Sequence, residues 1–311
     1  MRFKMTKPPT ITIGIPAYNE QANIGHLLDS IILQSETNFA LNRILVVCDG
    51  CTDETGGIAR QKALLDHRIQ VVDDKRRSGK LKRLEQIYAA NRSDILLVLD
   101  ADVFLPRRDF LQHIISGFDS FAVGLVGGHS QPVPGQSLAG KLLVGRSRVW
   151  QLIRTTYLHG NNVYNSRGCC LAMRKSFARS VHFPSDIASD SQYLYFLAIH
   201  NGWLFKFSSP AVVYYREPES LTDYSTQRTR SRSEKNLLTK YFGLEILSAY
   251  KIPVKFKIAA AFACLITSPF YTFVGVVFNF VFNYIYLPRQ KFSSDGQIWH
   301  VANTTKQIIK L

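Results

Sequence analysis

Residues 95–102 read Ile-Leu-Leu-Val-Leu-Asp-Ala-Asp, and this stretch decides the predicted fold. Five consecutive apolar residues between polar neighbours predict a short buried strand at 95–99. Asp100 and Asp102 follow it directly. Two carboxylates at this spacing can converge on one hard cation, Mg²⁺ or Mn²⁺, if the strand ends there. The alternative for the acidic pair is an ordinary solvated turn.

Strand and helix patterns alternate on the N-terminal side of this stretch. Residues 10–15, 43–47 and 68–72 have the apolar pattern of strands, and residues 23–33 and 80–90 have that of helices. A further helix is expected to begin near Thr52 or Asp53, because both are good N-cap residues. The alternation predicts an α/β fold with a mostly parallel central sheet flanked by helices on both faces.

The pattern is weaker beyond residue 121, where strand and helix signals are shorter and more widely spaced. The predicted strands are 125–128, 168–173, 204–207 and 211–215, and the predicted helices are 144–157 and 190–201.

Polar loops are expected at the same edge of the sheet as the acidic pair. Pro16, Ala17, Tyr18, Asn19 and Glu20 follow the first strand. Ligands bind outside the carboxyl ends of the strands in open α/β sheets, so we expect this loop to hold a base or a ribose.

Asp49 ends the second predicted strand and could accept a hydrogen bond from a base or a ribose. Its alternative role is to form a turn with the following glycine. The basic run 75–83 contains Ser-Gly-Lys80 at a helix start, which would place backbone N–H groups and an ammonium beside a phosphate. A solvated basic face is the alternative for that run.

The charge of the whole chain requires an anionic partner, because the formal net charge is +15. Candidates are a nucleotide-sugar diphosphate, an anionic membrane surface, a lipid pyrophosphate or nucleic acid. No acidic residue occurs between Asp119 and Asp186. The basic residues of this section are Lys141, Arg146, Arg148, Arg154, Arg167, Arg174, Lys175 and Arg179.

The C-terminal part contains an uncharged stretch, 258–287, which is long enough to span a bilayer if it is continuous. Pro269 interrupts it, and basic residues flank both ends, so the charges give no clear orientation. We expect a hairpin in one leaflet, with a single span or a buried helix pair as alternatives. The N-terminus lacks the apolar stretch of a signal peptide, so we expect the catalytic part to stay in the cytosol. Together with the C-terminal stretch, this predicts a protein on the cytoplasmic face of a membrane.

Taken together, these motifs resemble glycosyltransferase family 2. The chain has Ile-Pro-Ala-Tyr-Asn-Glu at 15–20, Val-Val-Cys-Asp-Gly-Cys-Thr-Asp-Glu-Thr at 46–55, Gly-Lys at 79–80 and Leu-Val-Leu-Asp-Ala-Asp at 97–102. Their order and spacing match the family over roughly residues 10–240. The resemblance implies the GT-A fold, inversion at the anomeric carbon and a divalent metal, Mn²⁺ or Mg²⁺.

The resemblance also assigns roles by position. Asp49 would contact the base, although the family commonly has a second acidic residue where Cys48 stands. Asp102 and Asp100 would serve the metal and the diphosphate, and Lys80 would lie near the donor. The donor-binding residues expected on these grounds are Pro16, Ala17, Tyr18, Asn19, Glu20, Asp49, Lys80, Asp100, Ala101, Arg228 and Arg230.

The catalytic base is expected at Asp190. The family's base usually lies in a Glu-Asp pair that opens a helix, and Ser189-Asp190 resembles that pair with serine replacing the glutamate. Asp186 is the alternative base, and capping of the helix is the alternative role of Asp190. A lipid phosphate acceptor, whose oxygen is already ionised, would need no base.

A basic run near the predicted membrane segment resembles the Q-x-x-R-W signature of membrane-bound members of the family. Residues 227–231 read Gln-Arg-Thr-Arg-Ser, with Ser231 in the position of the tryptophan. Arg230 matches the arginine of the signature and Arg228 lies nearby, and guanidinium groups suit a departing diphosphate. A basic helix lying on anionic lipid is the alternative.

These patterns predict a catalytic domain at 1–245, with a donor half at 10–105 and an acceptor half at 106–245, followed by a membrane-associated helical region at 246–311. We expect transfer of a sugar from a nucleotide-diphosphate sugar, with UDP preferred, to a lipid or lipid-linked acceptor. One alternative is a nucleotidyltransferase, which would normally have a glycine-rich loop after the first strand. The other is a basic nucleic-acid-binding or membrane-binding protein without catalysis, but no nucleic-acid recognition motif is present.

Overall fold

A computed structural model describes residues 7–133, 138–187, 189–217 and 220–281. The strands are β1 (Thr10–Ala17), β2 (Ala40–Asp49), β3 (Ile69–Asp74), β4 (Ile95–Leu99), β5 (Val103–Phe104), β6 (Val123–Pro132), β7 (Cys170–Arg174) and β8 (Leu204–Tyr215). The helices are α1 (Ile24–Ile32), α2 (Thr55–Leu65), α3 (Lys80–Ala90), α4 (Phe110–Ser116), α5 (Leu138–Thr156), α6 (Lys175–Ser180), α7 (Asp190–His200), α8 (Leu221–Phe242), α9 (Val254–Thr267) and α10 (Pro269–Val281), with short 3₁₀ turns at Tyr157–Gly160, Val163–Asn165 and Leu244–Tyr250.

All eight strands form one sheet in the order β3-β2-β1-β4-β7-β6-β8-β5. Strands β3, β2, β1 and β4 are parallel neighbours, as are β6 and β8, whereas β7 runs antiparallel between β4 and β6. The predicted mostly parallel sheet is therefore confirmed. The chain passes from β1 to β2 on one side and returns as β4 on the other, which creates a ligand-binding crevice at the carboxyl ends of β1 and β4.

The strands are buried on both faces, as β4 illustrates. Ile95, Leu97 and Leu99 face one hydrophobic core, which they share with α1 and α4, and the alternate residues Leu96 and Val98 face a second core under α3, α6 and α7. This is the period of two that a pleated strand imposes on its side chains. Helices on both faces therefore hold the strand ends in place.

Helix α3 approaches the sheet closely because β1 contains a glycine. A Cβ atom on Gly14 would lie 2.3 Å from the Cγ2 atom of Ile87 in α3, which is too close for any side chain. The contact between α3 and β1 depends on this glycine. It fixes the position of Lys80, the first residue of α3, relative to the carboxyl ends of β1 and β4.

Helix α2 begins at Thr55, within three residues of the start predicted near Thr52 or Asp53, and Asp53 Oδ1 accepts from the amide of Thr55 at 3.0 Å. Both polar residues also bind the loop after β1. The amide N–H of Thr52 donates to Asn19 Oδ1 at 2.8 Å, and a carboxylate oxygen of Asp53 accepts from the backbone of Gln21 at 3.1 Å. These contacts tie the β1 loop to the β2 loop.

The second half of the sheet differs from the prediction in two respects. The segments 204–207 and 211–215 belong to one strand, β8, whose pairing with β6 shifts register between Gly128 and His129. The short elements β5, α4 and α6 were not predicted. The antiparallel direction of β7 was also not predicted.

The uncharged C-terminal stretch begins as two helices separated at Ser268, with Pro269 at the first position of α10. That position tolerates proline because its backbone N–H has no partner inside the helix. Helix α9 packs on α5 through a small apolar cluster that includes Val149, Ile153 and Ala260. None of the helices between residues 7 and 281 that the structure describes is long and apolar enough to cross a membrane. The rest of the uncharged stretch, 282–287, lies outside the described residues.

Candidate active site

The loop 16–20 leaves β1 and is held by polar contacts to the loop that follows β2. Asn19 adopts a left-handed backbone conformation, φ 53°, and its side-chain amide donates to Thr52 Oγ1 at 3.1 Å. Asparagine tolerates this conformation better than most residues. The Arg77 guanidinium lies 3.9 Å above the centre of the Tyr18 ring. The β1 loop and the basic run are therefore brought together.

Asp49 organises the basic run. Its carboxylate accepts hydrogen bonds from the amides of Ser78 at 2.7 Å and Gly79 at 2.9 Å, and from Arg83 Nε at 2.7 Å. Arg83 is buried and also binds Asp74 through Nη1 at 2.5 Å. The two amides predicted to face a phosphate are therefore directed at Asp49, and one of its roughly four acceptor positions is left for a ligand. Its predicted contact with a base remains a prediction.

Substitution Asp49→Asn is expected to lower the free energy of unfolding by about 3 kcal/mol, because it leaves the buried Arg83 without its buried partner. The new amide nitrogen would also face an N–H donor. Denaturant unfolding measures the change. Asp74→Asn is the matched control, since Asp74 is 37% exposed and its loss should cost no more than about 1 kcal/mol. Equal losses for the two variants would contradict this role of Asp49.

Lys80 joins two carboxylates from different parts of the fold. Its Nζ lies 2.6 Å from Asp100 Oδ1, at the end of β4, and 3.5 Å from Asp190 Oδ2, at the start of α7. Burial lowers the pKa of Lys80, but the charges of Asp100 and Asp190 outweigh burial and raise it above its usual value. Lys80 therefore remains an ammonium at any working pH. The structure thus brings together Lys80, Asp100 and Asp190, whose predicted roles remain predictions.

Asp102 lies two residues further on and carries an unusual carboxyl group. Burial, followed by the charges of Glu20 and Asp100, raises its pKa to about 7. Burial also raises the pKa of Asp100, although Lys80 partly offsets this effect. Asp102 forms no ion pair with any residue that the structure describes. Ala101, between the two aspartates, is buried in the core beneath them.

These carboxylates fit a divalent metal that is bound together with a substrate. A bound cation stabilises the ionised form of carboxylates that lie close enough to raise one another's pKa. Oxygen ligands suit Mg²⁺ and Mn²⁺. Within the described parts of the chain, no group of three His, Cys, Asp or Glu side chains could hold a metal ion alone. Mg²⁺ is commonly held by one or two carboxylates and substrate phosphates. Asp102 and Asp100 have the chemistry for that arrangement.

Asp190 opens α7 and is 4% exposed. The chain at Gly168 packs directly against it, since a Cβ atom there would lie 2.8 Å from Asp190 Oδ2 and 3.0 Å from Oδ1. The alternative base, Asp186, lies elsewhere. It pairs with Lys240 at 2.8 Å and accepts a hydrogen bond from Tyr241. Of the two candidates, only Asp190 contacts the lysine and carboxylate cluster.

Substitution Gly168→Ala should displace the Asp190 carboxylate and lower turnover by about a hundredfold, because a shift of about 1 Å can cost that much in a catalytic site. Binding of the nucleotide should change little, since it depends on other residues. Steady-state kinetics and nucleotide titration separate the two effects. Gly57→Ala is a control for adding a methyl group to a glycine, since a Cβ atom there would meet only the end of the Glu54 side chain, which can move away. Unchanged turnover in Gly168→Ala would show that the carboxylate is not held by this contact.

Arg228 and Arg230 lie in α8, but their side chains fall outside the part of the chain whose side chains are described. Their predicted contact with a diphosphate remains a prediction.

Two residues that shape the site were not recognised as such from the sequence. Arg83 had a usable signal, because it lies three residues after Lys80 and so shares one side of a helix with it. Gly168 had no such signal, since its role arises from contact with Asp190, which is distant in sequence.

Tyr88 has a buried hydroxyl without a hydrogen-bond partner among the described residues. Burial, with the charge of Asp190, raises the pKa of this hydroxyl.

Comparison with known sequences identifies one family. The family described as Glycosyl transferase family 2 matches residues 12–180. A 4,4'-diaponeurosporenoate glycosyltransferase of Staphylococcus aureus (strain bovine RF122 / ET3-1) is 35% identical over 111 residues, which are 35% of this chain and 28% of the relative. The protein from strain USA300 is 36% identical over 110 residues. The chain thus matches only 28% of the length of these curated relatives.

Solved structures show the same fold at low sequence identity. The mannosyltransferase PcManGT from Pyrobaculum calidifontis, in complex with GDP-Man and Mn²⁺, superposes with a TM-score of 0.59 at 21% identity, covering 91% of this chain and 78% of that one. Glucosyl-3-phosphoglycerate synthase from Mycobacterium tuberculosis, in complex with Mn²⁺, UDP and phosphoglyceric acid, gives 0.54 at 20% identity, covering 76% and 79%. At these identities the likeness establishes the fold.

Proposed function

Because the chain belongs to glycosyltransferase family 2, we propose that it is an inverting enzyme that moves a sugar from a nucleotide-diphosphate sugar to a lipid or lipid-linked acceptor. The observation that carries this proposal is the convergence of Asp100, Asp102, Asp190 and Lys80 at the carboxyl ends of β1 and β4. Family membership decides against the nucleotidyltransferase and the non-catalytic binding protein. The relatives named for 4,4'-diaponeurosporenoate, a lipid-like compound, support the class of acceptor.

The donor binds across the β1 and β2 loops in this proposal. The free acceptor position of Asp49 takes a base N–H, and we prefer uracil for the base. Asp102 and Asp100 would hold a divalent metal, which neutralises charge on the leaving diphosphate when it is bound. Lys80, kept positive by its two carboxylates, offsets further charge at the same place. Solved structures of this fold contain Mn²⁺ or Mg²⁺ with UDP, or Mn²⁺ with GDP-Man, which supports a metal and leaves both nucleotides to be tested.

Asp190 is the general base in this proposal. It accepts the proton of the acceptor hydroxyl while that oxygen attacks the anomeric carbon from the face opposite the diphosphate. Displacement from that face inverts the configuration of the sugar. The residue is nearly completely buried, and the chain at Gly168 packs against its carboxylate.

The proposal is tested by incubating the purified protein with a panel of UDP-sugars and GDP-sugars in the presence of Mn²⁺. We expect slow release of UDP from one donor, and we expect a chelator to stop it. Nucleotide binding is measured in parallel, because hydrolysis without an acceptor is often slow. A protein that neither binds nor hydrolyses any nucleotide sugar, with or without Mn²⁺, would rule out the proposed function.

We further propose that the protein lies on the anionic lipid surface of the cytoplasmic face of a membrane. Helices α9 and α10 carry a row of large apolar side chains that are exposed. The nearby lysines, Lys251, Lys255 and Lys257, are also exposed, and their charge complements anionic headgroups. The exposed apolar residues are Val254, Ile258, Phe262, Leu265 and Ile266 of α9 and Phe270, Phe273, Val277 and Phe280 of α10.

The double substitution Phe262→Ser with Phe273→Ser should weaken vesicle binding at least about tenfold, since each ring contributes roughly 1.5–3 kcal/mol when it is buried. Flotation with vesicles of phosphatidylcholine and phosphatidylglycerol measures the effect. The control is Leu64→Ser with Leu65→Ser, which removes two exposed leucines from α2. Equal losses in the two variants, or no loss in the first, would refute a lipid-binding face on α9 and α10.

A further inference from the structure

Arg167 occupies the acceptor side of the active site. It directly precedes Gly168, which packs against the Asp190 carboxylate, and Cys169, whose carbonyl accepts from the amide of Asp100 at 3.4 Å. The charge of Arg167 is close enough to Asp100 to lower that group's pKa, although burial raises it overall. The guanidinium therefore lies beside the reacting groups and belongs to the half of the fold opposite the nucleotide loops.

The guanidinium of Arg167 stacks on an aromatic ring, and no ion pair with a described residue holds it. It lies 4.5 Å above the centre of the Tyr215 ring, and the Tyr215 hydroxyl donates to Glu217 Oε1 at 2.8 Å. The same oxygen accepts from Ser147 Oγ at 2.6 Å, so Glu217 Oε1 is bound by two hydroxyls. Among the side chains that the structure describes, no carboxylate forms a salt bridge with Arg167. One donor interacts with the Cys169 thiol, which leaves the other donors of the guanidinium for an oxygen anion.

A second arginine strengthens the positive charge of this region. Arg154 is buried, and its guanidinium donates to Ser130 and Asn165 rather than to a carboxylate. Burial, followed by the charge of Arg167, lowers the pKa of Arg154 to about 10. Two like charges this close raise the electrostatic potential between them. An anionic ligand at Arg167 would lower it.

A chain of contacts leads from Arg167 towards the apolar helices. Ser147 donates to Glu217. The guanidinium of the neighbouring residue, Arg146, lies 5.1 Å above the centre of the Tyr224 ring. The Tyr224 ring in turn contacts Phe278 of α10, with ring centres 6.0 Å apart. The anion-binding position is thus connected through α5 and α8 to a helix that carries exposed apolar side chains.

We propose that Arg167 binds an oxyanion, a phosphate or a carboxylate, on an amphiphilic acceptor whose apolar chain leads from there towards α10. This inference rests on the proposed function. The planar fork of arginine suits two oxygens of one anion. The reacting hydroxyl of the same molecule lies at Asp190, next to Gly168. The acceptor therefore carries an ionised group close to the hydroxyl that receives the sugar.

The test compares three probes by titration calorimetry below the critical micelle concentration, with UDP and Mn²⁺ present. They are 1-oleoylglycerol 3-phosphate, 1-oleoylglycerol and glycerol 3-phosphate. The wild type should bind the lipid phosphate at least about tenfold more tightly than either other probe, since a hydrogen-bonded ion pair is typically worth that much or more. Absence of this preference in the wild type overturns the proposal. Equal binding of glycerol 3-phosphate would show that the site takes a free phosphate ester.

Arg167→Gln should remove the preference for the phosphate and leave the affinity for 1-oleoylglycerol unchanged. Arg167→Lys keeps the positive charge but loses the planar set of donors of the guanidinium. This variant should retain part of the preference for the phosphate. Arg92→Gln makes the same change at an exposed position near the amino end of β4, at the opposite edge of the sheet, and should behave as the wild type. A preference that survives in Arg167→Gln sinks the proposal.

Binding of UDP with Mn²⁺ is measured for every variant. It should change far less than lipid phosphate binding, because no hydrogen bond or ion pair joins Arg167 to Asp100 or Asp102 among the described residues, and its charge acts on Asp100 only at a distance. Failure of the wild type to bind UDP or GDP would count against the proposed function, whereas loss of lipid phosphate discrimination with intact UDP binding reports on Arg167 alone.

Discussion

Substitution Asp102→Asn is expected to abolish Mn²⁺-dependent binding of the nucleotide sugar and to reduce transfer by at least about a thousandfold, because electrostatic stabilisation of the departing charge is worth several kcal/mol. Asparagine keeps the shape of the side chain and removes its negative charge. The variant should still fold, since the wild-type carboxyl is costly to bury and forms no ion pair among the described residues. Calorimetric titration with UDP, with and without Mn²⁺, measures the effect directly.

The pKa of Asp102 adds a second readout to this prediction. Burial, Glu20 and Asp100 raise this pKa to about 7, so the carboxyl is mostly protonated below that pH. Mn²⁺ must then displace a proton, and its affinity in the presence of UDP should fall about tenfold for each pH unit below 7. Above pH 7 the affinity should level off. Asp102→Asn should lack this dependence.

The matched control is Asp119→Asn. Asp119 is half exposed, pairs with Lys206 and precedes β6 at the amino edge of the sheet, far from the catalytic carboxylates. It should bind UDP and Mn²⁺ as the wild type does. If Asp102→Asn also kept full Mn²⁺-dependent binding, the metal would have to be held elsewhere, and the assignment of Asp102 would be wrong.

Substitution Asp190→Asn should lower the turnover number between about a hundredfold and ten-thousandfold, the usual contribution of general base catalysis, while UDP binding is retained. The amide cannot accept the proton of the acceptor hydroxyl. It also removes one carboxylate from Lys80, but Asp100 remains 2.6 Å from that ammonium. Single-turnover kinetics with the donor and acceptor bound separate this chemical effect from effects on binding.

Asp186→Asn is the control for the base, since its carboxylate pairs with Lys240 and Tyr241 away from Lys80. We expect nearly full activity. The reverse result, an inactive Asp186 variant beside an active Asp190 variant, would exchange the two assignments. Full activity in both would indicate an acceptor oxygen that is already ionised and needs no base.

The donor half of the fold was predictable because each element there has its own local signal. Strand β4 has the predicted bounds, since an unbroken apolar run lies between Asp94 and Asp100, and α3 has them too, because a helical pattern begins directly after Gly79. The parallel topology then requires the ends of β1, β2 and β4 to share one edge. This shared edge predicts that the β1 loop, Asp49 and the acidic pair lie close together.

The remaining features arise from contacts between distant residues. Strand β8 was predicted as two strands because serine and proline interrupt its apolar pattern, but pairing with β6 keeps the strand intact. Asp49 looks like a ligand-binding side chain in the sequence, because nothing local shows that the basic run folds back onto it. The position of Arg167 over Tyr215 likewise depends on the packing of β8 beside the β7 loop.

Helix α3 connects Asp49, at the end of β2, with the carboxylate cluster around Lys80. One turn of this helix separates Lys80, which reaches Asp100, from Arg83, which reaches Asp49. A helical turn is stiff, so we expect a nucleotide that disturbs the hydrogen bonds of Asp49 to shift the Lys80 ammonium as well. Under the proposed function, selectivity for the nucleotide would then be expressed in the rate of transfer as well as in affinity. We expect an ill-fitting donor to be bound but turned over slowly.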